Sequence, residues 1–143
     1  MAANPPVPTA GYSGTPLAKK LGVKDGHVVL LDRLPDDVDL RLPPTAIVVR
    51  RLRAGLDVTV TFHTQLETLA ARLPELFDRT VTAGMVWVAW PKQAAVKRLG
   101  IASDLNENAV RELGLELGWV DVKIAAIDQV WSGLKFVRRL ADR

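Results

Sequence analysis

The sequence predicts a three-layer α/β fold on a mixed β-sheet with an antiparallel C-terminal strand. A continuous apolar run at residues 28–31 is typical of a parallel strand buried on both faces. Strand and helix patterns then alternate, and two strand patterns close together end the chain. At 143 residues, with 48% hydrophobic and 24% charged residues, the chain is long enough for one cored domain. We expect that domain at residues 15–143, behind a flexible arm at residues 1–14.

The first elements follow from local signals. Thr15 is predicted to be the N-cap of a first helix with Pro16 at its first helical position, and Gly22 is predicted to end it. The apolar strand that follows ends at Asp32, which places this carboxylate at the carboxyl end of a central strand. Residues 33–44 contain acidic residues and prolines without a helical period, so we expect no crossover helix after the first strand.

A short strand is predicted at residues 46–49 and a longer one at residues 56–62. The link between them is too short for a parallel crossover, which takes about a dozen residues or more. The two strands therefore form a hairpin, or the first of them lies at a sheet edge.

Thr64 and Glu67 have the spacing of a capping box, so a helix is expected to begin there. Pro74 is expected to break or kink that helix before its last turn. Its apolar stripe is predicted to consist of Leu66, Leu69, Ala70, Leu73 and Phe77. A strand at residues 85–90 and a loop follow.

Asp104 with Glu107 predicts the start of a second long helix, and Gly118 predicts its end. Its expected buried residues are Leu105, Ala109, Leu113 and Leu117. A strand at residues 119–128, a turn at residues 130–133 and an antiparallel return at residues 134–137 complete the fold. Trp87 and Trp119 are expected to pack at the edges of the core.

The order of elements across residues 56–138 resembles the last half of the Rossmann-like methyltransferase fold, which ends in an antiparallel strand. Thr82-Ala-Gly-Met-Val-Trp87 is similar to the "LTPGG-strand" segment of those enzymes, and residues 24–32 are similar to the entry to their first strand. Where they place a glycine-rich turn for the methyl donor, this chain has Arg33-Leu-Pro-Asp-Asp37. The helix and strand that supply their ribose-binding acid are expected to be largely absent, so the resemblance implies a fold shortened in its N-terminal half.

Three further segments resemble a bacterial family of short proteins of unknown function, common in high-GC Gram-positive species. They are residues 11–22, Trp90-Pro-Lys92 and Trp131-Ser-Gly-Leu-Lys135. This resemblance implies a cytoplasmic protein and supplies no catalytic residues.

Composition makes several classes of function unlikely. Cysteine is absent, which excludes thiol nucleophiles, thiolate zinc sites and iron–sulfur clusters. The two histidines lack neighbours at metal-ligand spacing, and no serine lies in a nucleophile elbow. No apolar run is long enough to span a bilayer and no signal peptide is evident, so we expect a cytoplasmic protein without membrane association. A net charge of +3 favours a solvated basic face over nucleic-acid binding.

Ligands of open α/β sheets bind beyond the carboxyl ends of the strands, where helix N-termini converge. Basic side chains and free backbone N–H groups at that edge predict a pocket for an anion. Each of these residues also has a purely structural interpretation, namely packing for Trp90 and solvation for the lysines. The candidate ligand-binding residues are Asp32, His63, Trp90, Lys92, Lys97, Arg98, Asp104 and Asn106, and no catalytic residue, metal ligand or cofactor is predicted.

The sequence therefore predicts a non-catalytic binding module for a small anionic ligand or a protein partner, and the resemblance implies that it is built on a degenerate methyltransferase-like scaffold. One alternative is a methyltransferase-like enzyme that holds S-adenosylmethionine in a different way. The other is a weak nucleic-acid binder that uses the clusters at residues 50–53 and 138–139.

Overall fold

A computed structural model describes residues 16–143, so the arm expected at residues 1–14 and the segment from Gly11 to Thr15 lie outside the described residues. Four α-helices lie in the described part: α1 (Leu17–Leu21), α2 (Leu66–Asp78), α3 (Gln93–Leu99) and α4 (Glu107–Glu116). The strands are β1 (Val28–Asp32), β2 (Ile47–Val49), β3 (Leu56–Phe62), β4 (Thr80–Pro91), β5 (Trp119–Ala126) and β6 (Trp131–Arg138). They form one six-stranded sheet in the order β2-β1-β3-β4-β6-β5.

The sheet is mixed, as expected. β1 pairs in parallel with β2 and β3, and β3 with β4. β6 lies antiparallel between β4 and β5. A C-terminal hairpin thus closes a parallel half whose strands all end at one edge, which confirms the predicted fold class.

The side chains of the strands alternate between two hydrophobic clusters, as the period of two in a strand requires. α2 and α4 cover one face of the sheet, where Leu30, Val88 and Trp90 are buried. α1 and part of the segment at residues 34–46 pack on the other face, over Val29, Val60 and Trp87. We call these the α2 face and the α1 face. Trp87 is fully buried and donates from its indole N–H to the Leu21 carbonyl at 2.9 Å, so it lies in the core and not at its edge.

The connections around β2 differ in part from expectation. The segment at residues 33–46 contains no helix, as predicted. β2 lies at the sheet edge, which was one of the two predicted alternatives. The short link at residues 50–55 is nevertheless a parallel crossover, which the length argument excluded. This short link is long enough because β2 has only three residues, so the chain has to return only about 10 Å along the sheet before β3 begins.

Four local predictions are wrong. Pro16 occupies the N-cap position of α1 and not its first helical position, although Gly22 ends the helix in the left-handed conformation as expected. α2 begins at Leu66 without the Thr64–Glu67 capping box. Pro74 does not break the helix, which ends at Asp78. The loop expected after β4 contains α3. Residues 131–133 belong to β6, because the Asp128 carboxylate accepts from the N–H groups of Val130 and Trp131 and makes the turn earlier.

The buried face of α4 differs in part from the prediction, since Leu105 is buried and Leu113 packs against the core as expected, whereas Leu117 is exposed. Asn106 caps the helix by accepting from the Ala109 N–H at 2.9 Å, and the buried helical positions are Val110 and Gly114. A Cβ atom on Gly114 would lie within 2.7 Å of three ring carbons of Phe136, which is fully buried on β6. Glycine at this position therefore permits close contact between α4 and the sheet.

We expect Gly114→Ala to destabilise the protein by about 2 kcal/mol, because overpacking outweighs the gain of about 1 kcal/mol in helix propensity. Urea unfolding measures this change. In a Phe136→Leu background the same substitution should cost less than half as much. An equal cost in both backgrounds would show that the Phe136 ring is not the cause.

Candidate functional site

Three polar side chains meet at the carboxyl ends of β1 and β3. Asp32 lies directly opposite Thr61 in the parallel register, and His63 follows two residues later on the same face. All three are buried, with 5% of Asp32 and 1% of His63 exposed. The alternation of the strands directs them toward α2, where polar partners are needed because buried polar groups without hydrogen bonds are costly.

Helix α2 supplies those partners. Arg72 donates from Nη2 to Asp32 Oδ1 at 2.7 Å and from Nε to Oδ2 at 3.2 Å, which is a two-pronged ion pair. Thr68, one helical turn earlier, lies 3.1 Å from His63 Nδ1. Arg72 also pairs with Glu75 at 3.0 Å at the exposed end of the cluster. We call Asp32, Thr61, His63, Thr68 and Arg72 the strand-end network.

The hydrogen-bond pattern assigns a protonation state to the network. Burial alone would raise the pKa of Asp32, but the hydrogen bonds from Arg72 and Thr61 outweigh it and lower that pKa, so Asp32 is a carboxylate at neutral pH. The Thr61 hydroxyl donates to Asp32 Oδ2 at 2.7 Å and therefore accepts from the Nε2–H of His63, also at 2.7 Å. Nδ1 is then an acceptor, and it shares the single proton of the Thr68 hydroxyl with the Gln65 carbonyl, to which that hydroxyl donates at 3.0 Å.

His63 is a neutral imidazole. Burial, together with the nearby charges of Arg33 and Arg72, lowers its pKa to about 4, and Asp32 opposes this shift. Both ring nitrogens have partners inside the network, and the side chain is almost fully buried. The imidazole thus organises the strand ends and does not offer a free nitrogen to solvent.

The remaining candidate residues lie elsewhere. Trp90 is 5% exposed and packs in the core of the α2 face, which agrees with its purely structural interpretation as a packing residue. Lys92 donates from Nζ to the Asp128 carbonyl at 2.7 Å, and burial lowers its pKa although Asp128 opposes the shift. Lys97 and Arg98 are exposed in the last turn of α3.

Asp104 does not begin α4. Its carboxylate accepts from the Leu66 N–H at 2.7 Å and so caps α2 from outside that helix. The cap of α4 is Asn106. Of the eight candidates, the network unites only Asp32 and His63, and the anion pocket proposed for Lys92, Lys97 and Arg98 stays a prediction.

Sequence reasoning missed Thr68 and Arg72. Their spacing of four residues places both on one side of α2, next to the buried Leu69 and Leu73. The available signal was a polar pair beside an apolar stripe, on the helix that follows β3 and His63.

One backbone feature stands beside the network. Arg33, directly after Asp32, has φ of 58°, in the left-handed region that non-glycine residues rarely adopt. Arg41 shares this property, with φ of 52°. Such residues cluster at functional sites, where the surrounding structure holds them in place. At Arg33 the turn after the first strand takes a glycine-like conformation without a glycine.

Solved structures match this architecture. An O-methyltransferase of neocarzinostatin biosynthesis, in complex with S-adenosylmethionine and 2-hydroxy-5-methyl naphthoic acid, has a TM-score of 0.56 at 16% identity over 80% of this chain and 49% of its own. The N-methyltransferase NodS from Bradyrhizobium japonicum has 0.54 at 9% identity over 77% and 84%. The chain has a methyltransferase-like fold. A pericyclic reaction enzyme matches it too, with a TM-score of 0.56 at 12% identity over 87% of this chain and 47% of that one.

The chain spans about half the length, or less, of most of these methyltransferase-like structures. No family model and no curated protein matches the sequence, so the bacterial family named above is not shown. Among residues 16–143, no helix is long and apolar enough to cross a membrane, and no three His, Asp or Glu side chains form a metal-binding group.

The two basic clusters on which the nucleic-acid alternative depends differ in how far their side chains are engaged in the fold. Arg138 donates to the carbonyls of Val81 and Thr80 and lies 4.7 Å over the ring of Trp119. Arg138 is therefore engaged inside the fold. Arg50, Arg51 and Arg53 are exposed in the link between β2 and β3.

Proposed function

We propose that this protein binds S-adenosylmethionine, or a ligand of that class, at the turn after β1. The observation that carries the proposal is the left-handed Arg33 at the carboxyl end of a central parallel strand. The backbone conformation that a glycine-rich turn provides is present there, with an exposed guanidinium added. That group suits the carboxylate of an amino-acid ligand, because arginine binds carboxylates through a planar fork of donors.

The structural neighbours support S-adenosylmethionine as the ligand better than the small anion or protein partner that the sequence put first. Their names describe methyltransferases, and one is a complex with S-adenosylmethionine.

Methyl transfer itself is the second candidate, and the same neighbours favour it. Transfer to an oxygen or nitrogen acceptor is helped by a group that takes up a proton. Asp32 and His63 are already bonded within the strand-end network. We therefore propose binding as the primary role, and formation of S-adenosylhomocysteine from bound S-adenosylmethionine with an added phenol or amine would establish the enzyme.

Calorimetric titration with S-adenosylmethionine tests the proposal. We expect a dissociation constant below about 100 μM, equivalent to roughly 5 kcal/mol. Arg33→Asn keeps a residue that tolerates the left-handed conformation but removes the charge, and should weaken binding at least tenfold.

Arg41→Asn is the matched control, since it makes the same change at the other left-handed arginine. It should leave the affinity unchanged. An undetectable titration of the unmodified protein, or equal losses in the two variants, would contradict binding at this turn.

A further inference from the structure

The two edge strands of the sheet differ in how they are protected against pairing with a further strand. β5 has a bulge between Asp121 and Lys123, and bulges and charged side chains are features that protect an edge. β2 pairs in regular register with β1 and consists of Ile47, Val48 and Val49. Ile47 is 51% exposed and Val48 is 45% exposed, so this strand, which we call the β2 edge, presents an apolar surface.

The backbone of the β2 edge can accept a further strand at one residue. The Ile47 N–H donates to the His27 carbonyl at 2.8 Å and therefore faces β1. Backbone groups alternate in direction along a strand, so the N–H and C=O groups of Val48 point away from the sheet. In an antiparallel pair, a residue placed in this way exchanges two hydrogen bonds with one residue of the added strand.

The carboxyl end of the β2 edge is basic. Arg50 and Arg51 follow the strand directly, and both are exposed, as is Arg53. None of the three arginines forms an ion pair with another residue in 16–143. Because β2 has only three residues, backbone hydrogen bonds alone give a weak contact, which protects the edge against unspecific pairing. An added strand therefore binds best if it also carries carboxylates opposite the arginines.

We propose that the β2 edge binds an extended segment of a protein partner as an additional antiparallel strand, and that acidic residues precede the apolar residues in this segment. The order follows from the direction of the added strand, which places its first residues beside Arg50 and Arg51 and its later residues beside Ile47 and Val48. Main-chain hydrogen bonds supply affinity in this mode of recognition, and side chains supply specificity. The partner is independent of the function proposed for the turn after β1.

A second copy of this chain fits the β2 edge less well than an acidic segment does. In an antiparallel pairing of two β2 strands about Val48, the arginines would lie beside residues 43–46 of the other copy, which are Pro, Pro, Thr and Ala. Residues 1–15 contain no Asp or Glu either. The charge of the edge therefore favours a different chain, with carboxylates, as the partner.

The probe is the peptide acetyl-Glu-Asp-Glu-Val-Thr-Ile-Thr-amide, titrated calorimetrically at constant ionic strength. We expect a dissociation constant below about 1 mM, the level at which a weak specific site is measurable. The double variant Arg50→Gln/Arg51→Gln should raise that constant at least tenfold. Arg139→Gln removes an exposed charge after β6, on the other side of the sheet, and should leave the constant unchanged.

Backbone pairing is tested separately from charge. Val48→Pro removes the outward N–H group at a position where an edge strand tolerates proline, and it should abolish binding. The same peptide, N-methylated at its Val and at the Thr that follows, keeps all its charges but loses two successive N–H groups. It should bind at least tenfold more weakly, and this measurement requires no change in the protein.

Three results would overturn the proposal. The first is the absence of peptide binding below about 1 mM, and the second is equal binding of the N-methylated and unmodified peptides. The third is a random DNA duplex that binds more tightly than the peptide and loses affinity steeply with salt, which would assign the arginines to nucleic acid.

Discussion

Replacing Arg72 by leucine is expected to lower the free energy of unfolding at pH 7 by about 3 kcal/mol. Removal of one partner from a buried ion pair leaves an uncompensated charge, which costs about 3 to 5 kcal/mol. Asp32 is 5% exposed, whereas the Arg72 side chain is 29% exposed, so we expect the lower end of that range.

The loss should depend on pH in a defined direction. In the unmodified protein the pKa of Asp32 is lowered, so the ion pair stabilises the fold above the unfolded value of about 4. This contribution is lost as the pH falls through the folded pKa. Without Arg72, burial raises the pKa of Asp32, and the penalty disappears once the carboxyl group is protonated. The two proteins should therefore converge in stability as the pH falls below about 4.

Urea unfolding at pH 7 and well below pH 4 checks both statements. Arg79→Leu is the control, because Arg79 pairs at 3.9 Å with the exposed Asp78 and should contribute less than about 0.5 kcal/mol. A pH-independent loss for Arg72→Leu would mean that packing of the arginine stem, and not the carboxylate, accounts for the effect.

The second large effect is acid destabilisation through His63. Its pKa is about 4 in the folded protein against an ordinary value of 6.5. Between these values the unfolded chain binds a proton that the folded protein does not, so stability falls as the pH falls. A shift of about 2.5 units corresponds to roughly 3 kcal/mol lost between pH 6.5 and pH 4.

His63→Gln keeps hydrogen-bonding groups at the position but cannot titrate there. The variant should start less stable at pH 7 and should show a smaller loss of stability over the same pH interval, by about 3 kcal/mol. Unfolding curves at half-unit pH steps measure the difference. Parallel curves for the two proteins would contradict a neutral, buried His63.

Much of the fold is encoded in short-range patterns. The apolar run before Asp32 predicted a central parallel strand because both of its faces are covered. Their positions at the carboxyl ends of strands placed Asp32 and His63 at one sheet edge, and both are in the strand-end network. Their partners Thr68 and Arg72 could not be identified in the same way, since the rotation of α2 on the sheet is set by tertiary packing.

The errors have physical causes. α3 has good helix formers but no side-chain cap at Lys92, so no start signal marked it. The turn between β5 and β6 depends on the Asp128 carboxylate. An aspartate is a weaker turn signal than a glycine, so the turn was predicted near Gly133 instead. The short crossover of residues 50–55 depends on the length of β2, which the sequence left open.

The capping of α2 by Asp104 has a consequence for local unfolding. Three hydrogen bonds join the start of α2 to the segment before α4: Leu66 N–H to the Asp104 carboxylate, Asp104 N–H to the Thr64 carbonyl, and the Gln65 side chain to the Ala102 carbonyl. When residues 102–104 detach, the first turn of α2 loses its cap. The two segments, 38 residues apart in the chain, therefore form one cooperative unit whose amide protons exchange with solvent through a shared opening.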